Sequence, residues 1–421
     1  MIFELINTGS ELMLGRVLNT HQQWLCRQLA DLGWVVTRQV AVSDEALAIQ
    51  TATREALVRA DVIIATGGLG PTSDDLTRDL LAQLLQKKLI EDPAVLARIT
   101  RFFETLKRPM PERTRVQALV PQGAMVLPNA HGTAPGLVME LRPNPFRPKG
   151  EPSWLVMLPG PPRELRPMFQ DHVVPLLRRV LPGAEKFVCR TLRLTGIGES
   201  MVEAKIATPL QHLVDAGLEL GYCARPGQVD VRLAARGTGA EKLVNEAQEV
   251  VRVQMQDYIY ALDEEDLEAV IIRLLTEKKR TLAVAESCTG GCIAHRLTNV
   301  PGASAVLLAG VVSYSNPAKE KFLGVCPDSL AEHGAVSEAV AREMAEGIRE
   351  RTNADYAISV TGIAGPGGGS LDKPIGTVFI GLSGPFGTIV VRNLNSWDRE
   401  TFKQVTAQQA LELLRRKISA E

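Results

Sequence analysis

At both ends of the chain, short apolar runs alternate with stretches that have helical periodicity, and this alternation constrains the fold more than any other feature. In the first part, the predicted strands are residues 3–7, 34–42 and 61–66, and the predicted helices are residues 20–32 and 44–60. Strands that alternate with helices of this length form a parallel sheet with right-handed crossovers. We therefore expect a three-layer α/β fold, with a parallel or mixed sheet, that binds ligands at the carboxyl ends of its strands.

The first predicted domain covers residues 1–171. A charged, proline-rich segment at residues 142–153 is predicted to be a surface loop, with a strand at residues 154–158 and a helix after Pro162. Ser43 or Asp44 can cap the second helix. Because the chain has 421 residues, and one hydrophobic core stops growing at about 250–300 residues, further domains are expected.

The order of elements changes in the middle of the chain. Residues 172–261 predict a strand, a helix, two strands and a helix, which is a small α+β module. Residues 262–421 alternate strands and helices again, so they predict a separate three-layer α/β domain.

Composition excludes several classes of protein. The chain has 47 Lys and Arg against 48 Asp and Glu, which argues against a general nucleic-acid binder. No signal peptide and no apolar run of about 18 residues are present, so we expect a cytoplasmic protein without a membrane contact. Six cysteines are too few for a disulfide scaffold, and Cys288 with Cys292 would make a poor zinc site.

The run AESCTGG, residues 285–291, lies where a strand is followed by a helix. Ser287 would be exposed at the sheet edge there, and the N–H groups at the helix start could hold an oxyanion. Gly290 and Gly291 would let a ligand approach the backbone closely, and Thr289 lies beside them. From the residues alone, Ser287 is either a nucleophile or a helix cap.

Two later runs favour the nucleophile. In SYSNPAK, residues 313–319, Asn316 is the predicted cap, Pro317 the first helical residue, and Lys319 lies in the first turn. The helix dipole would lower the pKa of Lys319, as a lysine base requires, although a solvated surface lysine fits the same pattern. The glycine-rich run at residues 360–370 could form an anion nest or a mobile loop.

In this order, AESCTGG, VSYSNPAK, HGAVSE and TGIAGPGGG resemble the carboxy-terminal domain of the CinA family, shared with nicotinamide-nucleotide amidases. The resemblance implies deamidation of nicotinamide mononucleotide to nicotinate mononucleotide and ammonia, without a cofactor. It implies that Ser287 is the nucleophile, Lys319 its base and Tyr314 the residue that positions the lysine. The further substrate contacts that it implies are Thr289, Gly290, Gly291, Thr361, Gly362, Gly365 and, on the phosphate, Arg399.

A second set of motifs lies in the first domain: GSELMLG from Gly9, TGGLGPTSDDLT from Thr66 and LPGPPRE from Leu158. Glycines at a strand-to-helix turn leave backbone N–H groups open to phosphates. Two adjacent aspartates open the next helix; either they only cap it, or one is free to bind a hard divalent cation. The predicted metal ligands are Asp74 and Asp75, and the predicted substrate contacts are Gly9, Glu11, Gly67, Gly68, Gly70, Thr72, Asn129 and Glu164.

These motifs resemble the molybdopterin-binding fold as CinA proteins carry it. That resemblance implies a divalent-metal-dependent hydrolysis of ADP-ribose to AMP and ribose 5-phosphate. The alternative from the same fold is an enzyme that handles a molybdopterin.

The middle module resembles the KH-like domain of the family. A nucleic-acid-binding KH domain needs a GxxG loop, whereas the turn here is Gly196-Ile197-Gly198-Glu199, so we expect a spacer or a dimerisation element and a homodimer. The expected partners are the small nucleotides. A binding protein associated with competence and recombination is the alternative of a different class.

Overall fold

The computed structural model describes residues 1–181 and 186–420 as two compact units. The first unit consists of Met1–Phe187 with Arg236–Thr238, and the second of Val188–Ala235 with Gly239–Glu421. The middle module and the carboxy-terminal domain therefore belong to one unit. Within the part of the chain that the structure describes, no helix has the length and apolar character needed to cross a membrane.

The first unit is built on a six-stranded sheet. The strands of this unit are β1 (Phe3–Thr8), β2 (Val36–Val42), β3 (Val62–Thr66), β4 (Leu89–Glu91), β5 (Leu119–Pro121), β6 (Met125–Leu127), β7 (Gly136–Leu141) and β8 (Ser153–Leu158). The sheet order is β2-β1-β3-β8-β7-β6, and β4 pairs with β5 apart from it. β1, β2, β3 and β8 run parallel, β7 is antiparallel to β8, and β6 is antiparallel to β7, so the predicted mixed sheet is confirmed.

Helices cover both faces of this sheet. They are α1 (Ser10–Met13), α2 (Thr20–Asp31), α3 (Ala46–Arg59), α4 (Thr77–Leu84), α5 (Pro93–Thr105), α6 (Pro162–Met168) and α7 (Val174–Val180), with a 3-10 segment at Glu112–Ala118 and a π turn at Phe169–Val173. Successive strand residues point to opposite faces. Accordingly, Ile6 and Ile63 lie in one apolar core and Leu5 and Ile64 in the other, which gives three layers.

Two details of this unit differ from the sequence-based expectations. α3 begins after Glu45 without a side-chain cap, because the Asp44 carboxylate instead accepts a hydrogen bond from the N–H of Ser10, 2.7 Å away. The helical segment that starts at Pro162 continues through residues 171 and 172, where the predicted domain boundary lies. Phe169 and Val173 are buried in the core under the sheet, which explains why the helix does not stop there.

The middle module is a four-stranded antiparallel sheet covered by two helices. Its elements are β9 (Phe187–Thr195), α8 (Glu199–Asp215), β10 (Glu219–Arg225), β11 (Gln228–Arg236), α9 (Ala240–Met255) and β12 (Ile259–Leu262). The order is β10-β11-β9-β12. Both helices pack on the sheet through a core that includes Leu192, Ile206, Val231 and Val251. The predicted order of elements is confirmed, and β12 adds a fourth strand.

The carboxy-terminal domain has a five-stranded sheet of order β14-β13-β15-β16-β17. Its strands are β13 (Leu282–Glu286), β14 (Leu307–Val312), β15 (Tyr356–Gly362), β16 (Thr377–Gly384) and β17 (Gly387–Leu394). Its helices are α10 (Leu267–Glu277), α11 (Cys292–Thr298), α12 (Asn316–Ala318), α13 (Pro327–His333), α14 (Glu338–Thr352) and α15 (Arg399–Ser419). β13, β14 and β15 are parallel, β16 is antiparallel to β15, and β17 is antiparallel to β16.

Helix α15 packs against the middle module. The Gln408 side chain is buried, receives a hydrogen bond from Gln228 at 3.0 Å and donates to the Thr195 hydroxyl at 3.3 Å. Tyr260 of β12 is part of the apolar core of the carboxy-terminal domain. A Cβ built on Gly196, in the turn before α8, would lie 3.6 Å from the Arg416 guanidinium, so this turn faces α15.

Candidate functional site

Ser287 lies in a tight turn at the carboxyl end of β13. Its N–H donates to the Val360 carbonyl at 3.0 Å, which extends the pairing of β13 with β15 by one residue. The chain then turns, because the Gly290 N–H donates to the Ser287 carbonyl at 3.1 Å. Gly290 and Gly291 have φ angles of 62° and 95°, in the left-handed region that glycine adopts without strain. The turn leaves the Ser287 side chain free to contact Lys319, which follows strand β14 in the sequence.

The buried Glu286 carboxylate occupies the start of helix α11. It accepts hydrogen bonds from the N–H groups of Gly291, Ile293 and Ala294 at 2.9, 3.1 and 2.9 Å. These are the helix-start amides that the sequence pattern assigns to an oxyanion. That expectation is wrong for these three groups, because a carboxylate of the chain itself already satisfies them.

Lys319 and Ser287 are brought together from two different strand ends. The Lys319 Nζ lies 3.0 Å from the Ser287 Oγ, 2.8 Å from the Ser313 carbonyl oxygen and 3.3 Å from that of Tyr314. A neutral amine has two N–H donors and one lone pair, so both carbonyls can be satisfied while the lone pair accepts from the Ser287 hydroxyl. Lys319 is only 1% exposed, which excludes a solvated surface lysine.

Burial is the main cause of the altered basicity of Lys319. Loss of water around the ammonium lowers the pKa of Lys319, and the nearby Cys288 acts in the opposite direction. The local helix also differs from the prediction, because Ser315 and not Asn316 caps α12, accepting from the Ala318 N–H at 3.3 Å. The direction of the shift agrees with a lysine base, but its cause is desolvation instead of a helix dipole.

Cys288, the neighbour of Ser287, points into the apolar core of the domain. Burial raises the pKa of its thiol to about 12, so the thiolate is disfavoured at neutral pH. The two adjacent side chains therefore lie in different environments, and the hydroxyl of Ser287 is the one that contacts Lys319.

Tyr314 contacts Lys319 through its backbone and not through its side chain. The phenol is 63% exposed, and its oxygen accepts a hydrogen bond from Arg399 Nη2 at 2.8 Å. Arg399 Nη1 donates to the Gly365 carbonyl, also at 2.8 Å. The guanidinium therefore joins the phenol to the glycine-rich loop, while Tyr314 contacts Lys319 through its carbonyl oxygen at 3.3 Å.

The remaining predicted contacts of this site are partly used by the fold. The buried Thr361 hydroxyl donates to the Ala335 carbonyl at 2.7 Å. A Cβ on Gly362 would lie 2.9 Å from the Thr377 carbonyl oxygen, and one on Gly365 would lie 2.8 Å from Ile375. These two glycines therefore allow close packing. Thr289 is fully buried, and its hydroxyl has no hydrogen-bond partner within the described residues.

Two residues near Ser287 were missed in the sequence. One is Glu286, whose role depends on the tertiary turn. The other is Lys403, whose ammonium would lie 3.7 Å from a Cβ built on Gly290. Lys403 follows Arg399 by four residues on α15, a spacing that places both on one helix face and could have been noticed.

The first unit contains a cavity of about 350 Å³ at the carboxyl ends of β1, β3 and β8. It brings together most of the predicted residues, namely Gly9, Glu11, Gly67, Gly68, Gly70, Asp74, Asp75 and Glu164. It also contains residues that the motifs missed, among them Thr8, Asp44, Gln117 and Thr133. The Gln117 side chain is buried, and its Oε1 has no partner within the described residues, so it can accept a hydrogen bond from a ligand.

The two aspartates lie before helix α4 and do not cap it. The helix begins at Thr77, and its N-cap residue Leu76 provides no side-chain hydrogen bond. Asp75 instead turns back to accept from the N–H of Thr72 at 2.8 Å and from its hydroxyl. A hydrogen bond from Thr72 also lowers the pKa of Asp74. The predicted cap is therefore wrong, and the carboxylates of this loop accept hydrogen bonds from Thr72 instead.

The carboxylates of this cavity suit a cation that binds together with substrate phosphates better than a cation that protein ligands alone enclose. Glu11, Asp44 and Glu164 line the same cavity as the two aspartates, and no Lys or Arg is found among its described lining residues. Across residues 1–181 and 186–420, no group of three or more His, Cys, Asp or Glu is close enough to hold a metal ion. Mg²⁺ is commonly bound by one or two carboxylates with water and substrate phosphates, and Asp74 with Asp75 fits that mode.

Asn129 is not among the residues that line the cavity, but its side chain is hydrogen-bonded to the Glu164 carboxylate, which does line it. Its Nδ2 donates to Glu164 Oε2 at 2.8 Å and to the Ala134 carbonyl at 2.7 Å, while its Oδ1 accepts from the His131 N–H. All of its hydrogen-bonding groups are therefore used in orienting the loop and the Glu164 carboxylate.

Family models match nearly the whole chain in three consecutive parts. Residues 4–179 match the probable molybdopterin binding domain, residues 189–261 the damage-inducible protein CinA KH domain, and residues 264–418 the CinA C-terminal domain. These matches agree with the elements of both units.

Relatives extend over the full length. A competence-damage inducible protein of Moorella thermoacetica is 43% identical over 99% of both chains, and one of Caldicellulosiruptor bescii is 42% identical over 99% of both. The solved competence/damage inducible protein of Agrobacterium tumefaciens is 40% identical, covers 36% of this chain and 93% of its own, and has a TM-score of 0.35. With its three domain matches and these full-length relatives, the chain belongs to the CinA family of competence-damage inducible proteins.

Proposed function

We propose that the carboxy-terminal domain is a Ser–Lys amidohydrolase that deamidates nicotinamide mononucleotide. The observation that carries the proposal is the 3.0 Å contact between Lys319 Nζ and Ser287 Oγ, with two backbone carbonyls holding the same amine. A hydroxyl becomes a nucleophile when a positioned base accepts its proton. Burial lowers the pKa of Lys319, which favours the neutral amine that can act as this base.

The proposed reaction follows from this pair. Lys319 accepts the hydroxyl proton as Ser287 Oγ attacks the carboxamide carbon, and a tetrahedral intermediate forms. The protonated lysine then gives this proton to the departing nitrogen, which leaves as ammonia. Water then attacks the acyl-enzyme while Lys319 accepts its proton. Lys319 returns this proton to Ser287 Oγ as the ester bond breaks, and the product leaves as the carboxylic acid, which ionises in water. Arg399 would bind the substrate phosphate, exchanging its present contacts with Gly365 and Tyr314 for a charge-assisted pair.

For the first unit we propose hydrolysis of ADP-ribose to AMP and ribose 5-phosphate. The support is the cavity in which a glycine turn and several carboxylates meet. A divalent cation bound with the diphosphate through Asp74 and Asp75 would neutralise its charge and activate water. The residues of the chain would orient the ligand: the backbone amide of Gly68 toward phosphate, and Gln117 toward a donor group, whereas the Gly67 N–H already donates to the Leu158 carbonyl at 3.0 Å.

The match to the probable molybdopterin binding domain supports a rival for this cavity, a molybdopterin-handling reaction. The names of the relatives support another candidate, a role in competence or the response to damage. Both make different predictions from nucleotide hydrolysis, because neither requires that the protein release AMP or ammonia.

One experiment separates these candidates. The purified chain is incubated with nicotinamide mononucleotide or ADP-ribose, with Mg²⁺ or with a chelator, and products are identified by chromatography together with an ammonia assay. We expect deamidation under both conditions and ADP-ribose cleavage only with the cation. Ser287→Ala should remove the first activity and Asp74→Ala the second. If chelation abolishes both activities, the assignment of a metal-free site to the second unit is wrong.

A further inference from the structure

The first turns of α15 carry two cations on one face. Arg399 is the first residue of the helix and Lys403 follows one turn later. Arg399 contacts the Tyr314 phenol and the glycine-rich loop, whereas the Lys403 ammonium lies beside Gly290 in the turn that carries Ser287. The two positive groups therefore contact the segments that surround Ser287 and Lys319, namely the turn at Gly290, Tyr314 and the glycine-rich loop.

Two of the acidic residues around these cations, Glu286 and Asp398, are already bound by backbone amides. The Glu286 carboxylate accepts from three N–H groups of α11. The Asp398 carboxylate caps α15 by accepting from the N–H groups of Glu400 and Thr401 at 3.0 and 3.1 Å. Lys403 is half-buried and forms no ion pair within the described residues. A partly desolvated ammonium without a partner is stabilised when an anion binds beside it.

We propose that Lys403 is a second cationic anchor for the substrate phosphate, one helical turn from Arg399, and that it makes the site selective for a phosphorylated ribonucleotide over the ribonucleoside that lacks the phosphate. This inference rests on the proposed deamidation, whose substrate class it narrows. A phosphate monoester carries nearly two negative charges at neutral pH. Arg399 alone balances one of them, and Lys403 supplies the other positive charge on the same helix face.

The size of the effect follows from one charge-assisted hydrogen bond. Loss of such a contact weakens binding about 10- to 100-fold. The loss should apply to nicotinamide mononucleotide and not to nicotinamide riboside, which lacks the phosphate. A merely structural role of Lys403 would change the binding of both compounds alike.

The test uses the full chain in a Ser287→Ala background, so that neither compound is consumed. Isothermal titration calorimetry with nicotinamide mononucleotide and with nicotinamide riboside compares this background with added Lys403→Gln, Lys403→Arg or Lys278→Gln. Lys278 follows helix α10, and it is a matched control for removal of one positive charge from the same domain.

We expect Lys403→Gln to weaken nucleotide binding at least 10-fold, with the riboside unchanged, and Lys403→Arg to restore most of the affinity. Lys278→Gln should bind both compounds as the background does. Equal weakening for both compounds, or no weakening, overturns the proposal. If wild-type protein deamidates neither compound while the selective loss of binding persists, the proposed reaction fails and the phosphate anchor stands.

Discussion

At the scale of single residues, Ser287 and Cys288 are neighbours in the sequence, but only the Ser287 side chain contacts the proposed base Lys319. A thiol is intrinsically the better nucleophile, but Cys288 is buried and the pKa of its thiol is raised to about 12. We expect Ser287→Ala to abolish deamidation and Cys288→Ala to leave most of the rate. Initial rates of ammonia release measure both. A dead Cys288→Ala with an active Ser287→Ala would contradict the serine mechanism.

The lowered pKa of Lys319 predicts how the rate of deamidation depends on pH. Burial lowers the pKa of Lys319 from 10.5, and only the neutral amine can accept a proton. We therefore expect kcat/KM to rise with pH and to level off at a pH below 10.5. The same sign holds for folding: since the unfolded chain binds the proton more tightly, the free energy of unfolding contributed by Lys319 rises with pH between the two pKa values.

The control for this dependence is Lys319→Arg, which keeps the positive charge at all accessible pH values. Its deamidation rate should fall on the order of 10²-fold or more across the whole pH range. A profile of the wild type that is flat, or that falls with rising pH, would show that another group is the base.

Glu286 is a positioning residue, because it acts on the Ser287 turn through three backbone amides. In Glu286→Gln, one carboxylate oxygen becomes an NH₂ donor that faces backbone N–H groups. We expect kcat to fall about 10-fold or more with KM nearly unchanged, and Glu286→Asp to perform worse than wild type because it is shorter by one methylene. Steady-state kinetics of both variants, with circular dichroism to check folding, test this role.

The sequence predicts part of this residue-scale detail. Glycine and proline spacing is local, so the turns around Ser287 and Lys319 could be located. The direction of the Glu286 carboxylate, the return of Asp75 to Thr72 and the burial of Lys319 depend on neighbours distant along the chain. These contacts decide whether a helix start is open or occupied, which spacing alone does not reveal.

At the scale of elements, glycines at strand ends let neighbouring segments approach. Gly68 has a φ of 65°, and an added Cβ would collide with the Thr77 side chain and lie 3.0 Å from its N–H nitrogen. We expect Gly68→Ala to reduce ADP-ribose cleavage strongly and to lower the free energy of unfolding of the first unit by more than the ~1–2 kcal/mol of a left-handed alanine.

Gly15→Ala is the matched control for this variant. Gly15 has a nearly identical φ of 64°, but an added Cβ would meet nothing within 4 Å. Urea unfolding of both variants therefore separates the backbone cost from the collision at Thr77. Equal destabilisation of the two variants would show that the approach of Thr77 is unimportant.

Most elements could be predicted from local sequence signals, such as the continuous apolar run of β3 and the amphipathic pattern of α2. The misplaced boundaries lie at caps and at helix continuations. Ser315 competes with Asn316 for the cap of α12, and both residue types are good caps, so only the tertiary path of the chain decides. Likewise, Phe169 and Val173 continue a helix because the sheet offers an apolar surface.

At the scale of the whole molecule, the second compact unit joins the middle module to the carboxy-terminal domain. A fragment that begins at Leu262 loses Tyr260 from its core and two partners of Gln408, Gln228 and Thr195. We expect residues 262–420 to deamidate but to be less stable than residues 188–420, by about 3 kcal/mol or more, as for loss of a buried aromatic side chain. Differential scanning calorimetry of both fragments measures the difference. Identical Tm values would show that the middle module contributes nothing to this core.

The turn before α8 has a consequence for how this architecture can change during evolution. In KH domains this turn clamps a nucleic-acid backbone, whereas here it faces α15, with Arg416 beside Gly196. We expect a Glu199→Gly substitution, which changes the acid of this turn, to create no affinity for RNA. Because the edge that would contact RNA faces α15, the middle module would have to be inherited together with this helix when domains are exchanged between proteins.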